Sequence, residues 1–291
     1  MTPGIRATVV SALALTASGT AGQQPVFRAG VDAVSVPVSV RKGRAPVAGL
    51  TTADFELADN GVPQTVSAFS VEALSIDVTL LLHVSQGIHG ARLEWLKASV
   101  LETARLLRRD DCVRLIEVKH VLREAVPCQP GGGRPALDEL SASGGTALRD
   151  ALAAAMMRAS EPDRRQLIVA FTTGLDTISS VDTATVEAVA GLADAVVYLV
   201  VPVPSGGSAR RAATATAAPL GNLVARTGGQ VFLANVDAPI AGAFTQAIDE
   251  FRTSYVLRYV PTGVARGGWH DVTVIVKGGP YDVRARKGYG G

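Results

Sequence analysis

The strongest constraint in this chain is an alternation of two periods that fills its middle, from about residue 75 to 250. Short, near-continuous apolar runs lie at 76–84, 112–118, 166–172, 195–201 and 230–233. Runs with so little polar content suit strands covered on both faces. Between them the apolar positions change to helical spacing: Leu93, Leu96, Val100, Ala104 and Leu107, then Leu148, Leu152, Ala155, Met156 and Ala159, then Ile240, Phe244, Ile248 and Phe251. Strand and helix in alternation require crossovers, which are right-handed. The expected fold class is therefore α/β, a doubly wound, mostly parallel central sheet flanked by helices. The run 120–126 is expected to return as an antiparallel edge strand, through a hairpin turning near Lys119 and His120. Cys112 and Cys128 would then face each other within about one residue of register. A disulfide there would stabilise by about 3 kcal/mol in the chain-entropy picture; two unpaired buried thiols are the alternative.

The flanks read differently. Val34, Val36, Val38 and Val40 alternate with small or polar residues, Phe55-Glu56-Leu57 opens another strand, and Asp59-Asn60-Gly61 signals a tight turn. In the tail, Tyr255, Leu257 and Tyr259 alternate, then Val272, Val274 and Val276, then Tyr281, Val283 and Ala285. Neither flank has enough strands for a core of its own. The two are expected to pair with each other into one small, discontinuous β-sandwich with the α/β unit inserted between them. The boundaries read as a signal peptide over 1–22, an N-terminal β segment over 23–74, the α/β domain over 75–252 and a C-terminal β segment over 253–291.

The signal peptide rests on Arg6, an apolar stretch over 7–17 too short to span a bilayer, and small residues up to Ala21 and Gly22. No later stretch reaches the roughly 18 apolar residues that a membrane helix needs. A soluble protein, exported to the periplasm or beyond the cell, is expected, in a compartment where cysteines can oxidise. The 28 Lys and Arg against 26 Asp and Glu are spread without runs, which excludes a nucleic-acid surface.

Ligands of a doubly wound sheet bind at the carboxyl ends of its strands, so three loops carry the functional reading. They are Leu82-His83-Val84-Ser85-Gln86-Gly87, Ser143-Gly144-Gly145-Thr146-Ala147-Leu148 and Phe171-Thr172-Thr173-Gly174-Leu175-Asp176-Thr177. Their order resembles the von Willebrand factor A fold, whose adhesion site holds Mg²⁺ with Asp-x-Ser-x-Ser, a distant Thr and the Asp of Thr-Asp-Gly. Further pieces are similar to an exported bacterial family of VWFA-related proteins: Val47-Ala48-Gly49-Leu50 with Asp54-Phe55, Asp59 to Gln64, Thr227-Gly228-Gly229, Glu250-Phe251-Arg252 with Tyr255, and Ala285-Arg286-Lys287-Gly288-Tyr289.

Carried over by residue, the resemblance leaves a degenerate adhesion site. Ser85 and Thr146 match hydroxyl positions, but His83 stands for the leading Asp, Gly87 for the second Ser and Thr173 for the Asp of Thr-Asp-Gly. No carboxylate remains to offset a divalent ion, and imidazole is a poor Mg²⁺ ligand. Asp150 and Asp176 are the nearby acids that could act as accessory ligands. Gly144-Gly145-Thr146 also reads as a turn with Thr146 as a helix N-cap. No cofactor is expected, with Mg²⁺ as the alternative. A hydrolase would need the Gly-x-Ser-x-Gly elbow, whose first glycine is His83 here, plus Asp176 and His270 as partners of Ser85. The reading is of a non-catalytic exported module that binds an unidentified protein partner without a metal, the alternative being a structural component of an envelope assembly.

Overall fold

The computed structural model describes residues 33–43, 45–70, 74–84, 88–130, 137–158, 161, 163–235 and 240–291. The expected signal peptide over 1–22, together with Ser85 and Gly87, lies outside the described residues. The first flank supplies β1 (Val34–Lys42), β2 (Ala45–Pro46), β3 (Phe55–Asp59), β4 (Val62–Gln64) and β5 (Val66–Ser70). The middle runs β6 (Ser75–His83), α1 (Ala91–Arg105), β7 (Cys112–Val118), β8 (Leu122–Pro130), α2 (Leu148–Met156), β9 (Arg164–Phe171), α3 (Thr183–Leu192) and β10 (Val196–Val203). It continues with α4 (Gly207–Ala217), α5 (Gly221–Arg226), β11 (Val231–Asn235) and α6 (Ala241–Arg252). The tail adds β12 (Tyr255–Tyr259), β13 (Trp269–Val276), β14 (Asp282–Ala285) and β15 (Gly288–Gly290).

The central sheet has the order β11-β10-β9-β6-β7-β8. Every neighbouring pair is parallel except β7 and β8. The side-chain period of two explains why apolar runs were needed. Val78, Leu80 and Leu82 join Leu96 and Val100 of α1 and Phe244 and Ile248 of α6 on one face. Leu81 joins Leu148 and Leu152 of α2, Val186 of α3 and Leu223 of α5 on the other. Each such side chain withdrawn from water contributes about 1.5–3 kcal/mol. Among the described residues no helix is long and apolar enough to cross a membrane.

The β7–β8 hairpin forms as expected, and Cys112 and Cys128 are disulfide-bonded with Cα atoms 5.4 Å apart. From Val118 opposite Leu122, an unbroken ladder would set Cys112 opposite Cys128. Bulges around Leu115 slide the register so that Cys112 faces Pro130, and the disulfide therefore spans a diagonal pair.

The flanks do pair with each other. β1 lies between β12 and β14, with Val36 opposite Leu257 and Val40 opposite Val283, and β5 adds to β12. A second antiparallel sheet runs β15-β13-β3-β4. Val36, Val38, Phe55, Leu57, Leu257 and Val272 belong to the core between these sheets. Several motifs noted above fasten this arrangement. The Tyr255 hydroxyl donates to Val47 O at 3.0 Å and accepts from Leu50 N at 3.1 Å. Thr227 Oγ1 accepts from Val197 N and donates to Val224 O. Gly229 must be glycine, because a Cβ there would overlap the Val197 carbonyl oxygen. Arg286 donates to the Gly191 and Gly288 carbonyls, closing the C-terminal end of α3. Glu250, buried at the end of α6, accepts from Gln230 and from Arg284 of β14, so the inserted unit and the sandwich share a buried ionic contact.

Candidate functional site

β6 delivers His83 to the crest of the central sheet, where the side chain is 2% exposed. Its Nε2 lies 2.7 Å from Thr146 Oγ1, just before α2, and its Nδ1 lies 3.1 Å from Thr172 Oγ1, just after β9. Thr172 Oγ1 also accepts from Gly174 N at 3.0 Å. A neutral imidazole offers one donor and one acceptor, and two hydroxyls satisfy both. Burial pushes the His83 pKa down to about 4, against a weaker upward pull from Asp176, so the ring is neutral at physiological pH. Three strand-end loops are thus joined through one uncharged ring.

Asp176 and Asp150 are occupied elsewhere. Asp176 accepts from Arg149 N at 2.8 Å, from the Arg149 guanidinium at 3.2 Å and from Ser179 N and Oγ. Burial would raise its pKa, but these donors outweigh it and hold the carboxyl below its usual value. Asp150 accepts from Ser180 N and Val181 N at 3.0 and 2.9 Å. Both acids brace the 176–181 loop against the first turn of α2. That loop also takes over the capping expected of Thr146. α2 begins at Leu148, Thr177 Oγ1 accepts from Thr146 N, and the Thr146 hydroxyl is thereby left for His83.

Thr173 stands where the resemblance would put the Asp of Thr-Asp-Gly. Its Oγ1 is buried and, among the described residues, has no hydrogen-bond partner. Beside it, Gly174 has φ +83°, and a Cβ there would press on the backbone of Ala217 at the end of α4. Around this closed centre, Leu175 is 54% and Ile178 46% exposed. The hydrolase partners are not brought together: Asp176 serves α2, whereas His270 lies on β13 with its Nδ1 2.8 Å from Asp59 Oδ1. Sequence reasoning placed Thr172 and Thr177 in its third loop without giving either a role, and missed Ser179. The Asp176-x-x-Ser179 spacing, typical of a side chain that caps its own loop, was the one available signal.

No protein-family model matches the chain, and no curated protein does. Among solved structures, a von Willebrand factor type A protein from Catenulispora acidiphila is similar, with 11% identity and a TM-score of 0.50 over 91% of this chain and 74% of that one. Proximal thread matrix protein 1 from the mussel byssus gives 10% identity and a TM-score of 0.51 over 66% of this chain and 49% of that one. The likeness is one of fold: an α/β architecture of von Willebrand factor A type, with added antiparallel sheets.

Proposed function

We propose that this chain is a non-catalytic, exported binding module whose crest engages a protein partner by direct contact, without a metal bridge. The observation that carries the reading is the neutral His83 imidazole bonded to both Thr146 and Thr172. A cation entering there would have to break those bonds and would meet no carboxylate, because Asp150 and Asp176 are already bound to backbone donors. Stripping water from a divalent ion without compensating negative charge is unfavourable. The disulfide between Cys112 and Cys128 favours an oxidising compartment. The apolar tips Leu175 and Ile178, beside the closed centre, supply the contact that an ion bridge otherwise provides.

Isothermal titration of the folded chain with Mg²⁺ and with Mn²⁺ tests the metal reading. No heat of submillimolar binding is expected, and such binding would overturn it. Proximity labelling in the native cell, repeated with EDTA, tests the partner reading: the same neighbour should be labelled with and without chelator. A fluorophosphonate probe should leave Ser85 unlabelled.

A further inference from the structure

The sandwich contains a second cluster of polar groups that the crest does not use. Asp59 ends β3, Tyr259 ends β12, His270 lies on β13 and Tyr289 is the middle residue of β15. Asp59 is fully buried, Tyr259 and His270 are each 3% exposed, and Tyr289 is 9% exposed. Their polar atoms meet at the Asp59 carboxylate. Both tyrosine hydroxyls stand 2.8 Å from Asp59 Oδ2. His270 Nδ1 stands 2.8 Å from Asp59 Oδ1 and 3.1 Å from the Tyr289 hydroxyl.

Without a ligand, these groups form a hydrogen-bonded clasp between the two sheets. The same spacing suits a small cation, because neighbouring donors around an octahedral ion with bonds of about 2.0 Å stand about 2.8 Å apart. The chemistry narrows the ion. Mg²⁺ and Ca²⁺ prefer carboxylate, carbonyl and water oxygens, and structural zinc prefers thiolate and imidazole. Tyrosine phenolate is a ligand of ferric iron. One carboxylate and two phenolates together carry the three negative charges that balance Fe³⁺, and the imidazole adds a fourth donor.

Tyr289 is carried by β15, which pairs with β13 through Trp269 opposite Gly290, His270 opposite Tyr289 and Asp271 opposite Gly288.

We propose that Asp59, Tyr259, His270 and Tyr289 form a ferric-ion site in the sandwich. Fe³⁺ binds the Asp59 carboxylate, the two tyrosine oxygens and His270 Nδ1, releasing the two phenolic protons to solvent. The imidazole proton moves from Nδ1, which donates to Asp59 in the unliganded clasp, to Nε2, and the iron stays ferric, so no electron is transferred. The test uses the full chain, stripped with chelator and titrated with ferric nitrilotriacetate. One iron per chain should survive gel filtration, with a visible phenolate-to-iron charge-transfer band. Tyr259→Phe and Tyr289→Phe should each lose most of that band, while His83→Asn, at the crest, should keep it. Urea unfolding of each variant without iron reports whether it folds. Absence of the band and of bound iron in the wild-type chain overturns the proposal, as does a band undiminished in both folded tyrosine variants. Should the tyrosine variants fail to fold, the wild-type titration decides alone.

Discussion

The neutral imidazole at the crest makes a prediction about acid. His83 is a base whose pKa falls from an ordinary 6.5 to about 4 in the folded chain. Between those values the unfolded chain takes up a proton that the folded chain refuses, so lowering the pH favours unfolding. The stability this group protects is complete above about pH 6.5. It then falls by about 1.4 kcal/mol per pH unit, to a loss of roughly 3 kcal/mol near pH 4. Replacing His83 with Asn keeps a polar side chain that does not titrate. The experiment compares urea unfolding of wild type and His83→Asn, followed by far-ultraviolet circular dichroism, at about pH 7.5 and about pH 4.5 under non-reducing conditions. The carboxylates titrate alike in both proteins and cancel in the difference. Between those pH values wild type should lose roughly 2.5 kcal/mol more than the variant, or about 1 M in urea midpoint if m is about 3 kcal/mol/M. An equal loss in both proteins would refute the argument, because it would mean that His83 is not held neutral by its surroundings.

Two further effects follow from contacts between distant parts of the chain. Replacing Cys112 and Cys128 together by Ala, which opens the cross-link between positions 16 apart in sequence, should lower stability by about 3 kcal/mol. Reductant should then destabilise the wild type in urea melts and leave the double variant unchanged. Tyr255→Phe removes the hydroxyl shared by Val47 O and Leu50 N and should cost about 1–2 kcal/mol, with hydrogen exchange at the Leu50 amide rising more than at central-sheet amides.

Much of the fold was legible because burial dictates composition. Strands β6, β7, β9 and β10 of the central sheet are covered on both faces and so appear as apolar runs. α4 was not legible: of its eleven residues only Ala217 is buried, so no apolar stripe marks it. β15 escaped for another reason. It is Gly-Tyr-Gly, and Gly288 is required there because a Cβ would run into the backbone of His270; its identity is set by a neighbour 18 positions away, not by a period. At the crest, the absence of carboxylates at 83 and 173 could be read from residue types alone. What stands in their place could not, since the link from His83 to Thr146 and Thr172 spans 63 and 89 positions. Asp150 and Asp176 misled for the same reason. They lie near the site in sequence, but their use is decided by the amide groups of residues 149 and 179–181.

The residues at the crest are best understood through their charge state. In a site that holds no ion, aspartates at 83 and 173 would place two carboxylates in a buried pocket, each raising the other's proton affinity and each costly to desolvate. A histidine and a threonine remove that repulsion, and the imidazole also satisfies the hydroxyls of Thr146 and Thr172. Introducing one aspartate alone should therefore be harmful. His83→Asp puts an unpaired charge at a position that is 2% exposed and should cost about 1–3 kcal/mol at neutral pH. Its carboxyl pKa would be raised by burial, so the variant should recover stability on mild acidification, opposite to wild type. Adding Thr173→Asp should deepen the defect without metal and make it respond to Mg²⁺. A concentration one hundred times the dissociation constant would return about 2.7 kcal/mol, read as a rise in melting midpoint that wild type does not show. A His83→Asp variant as stable as wild type at neutral pH, with no metal present, would mean that the crest tolerates a buried charge and that the histidine was not needed to neutralise it.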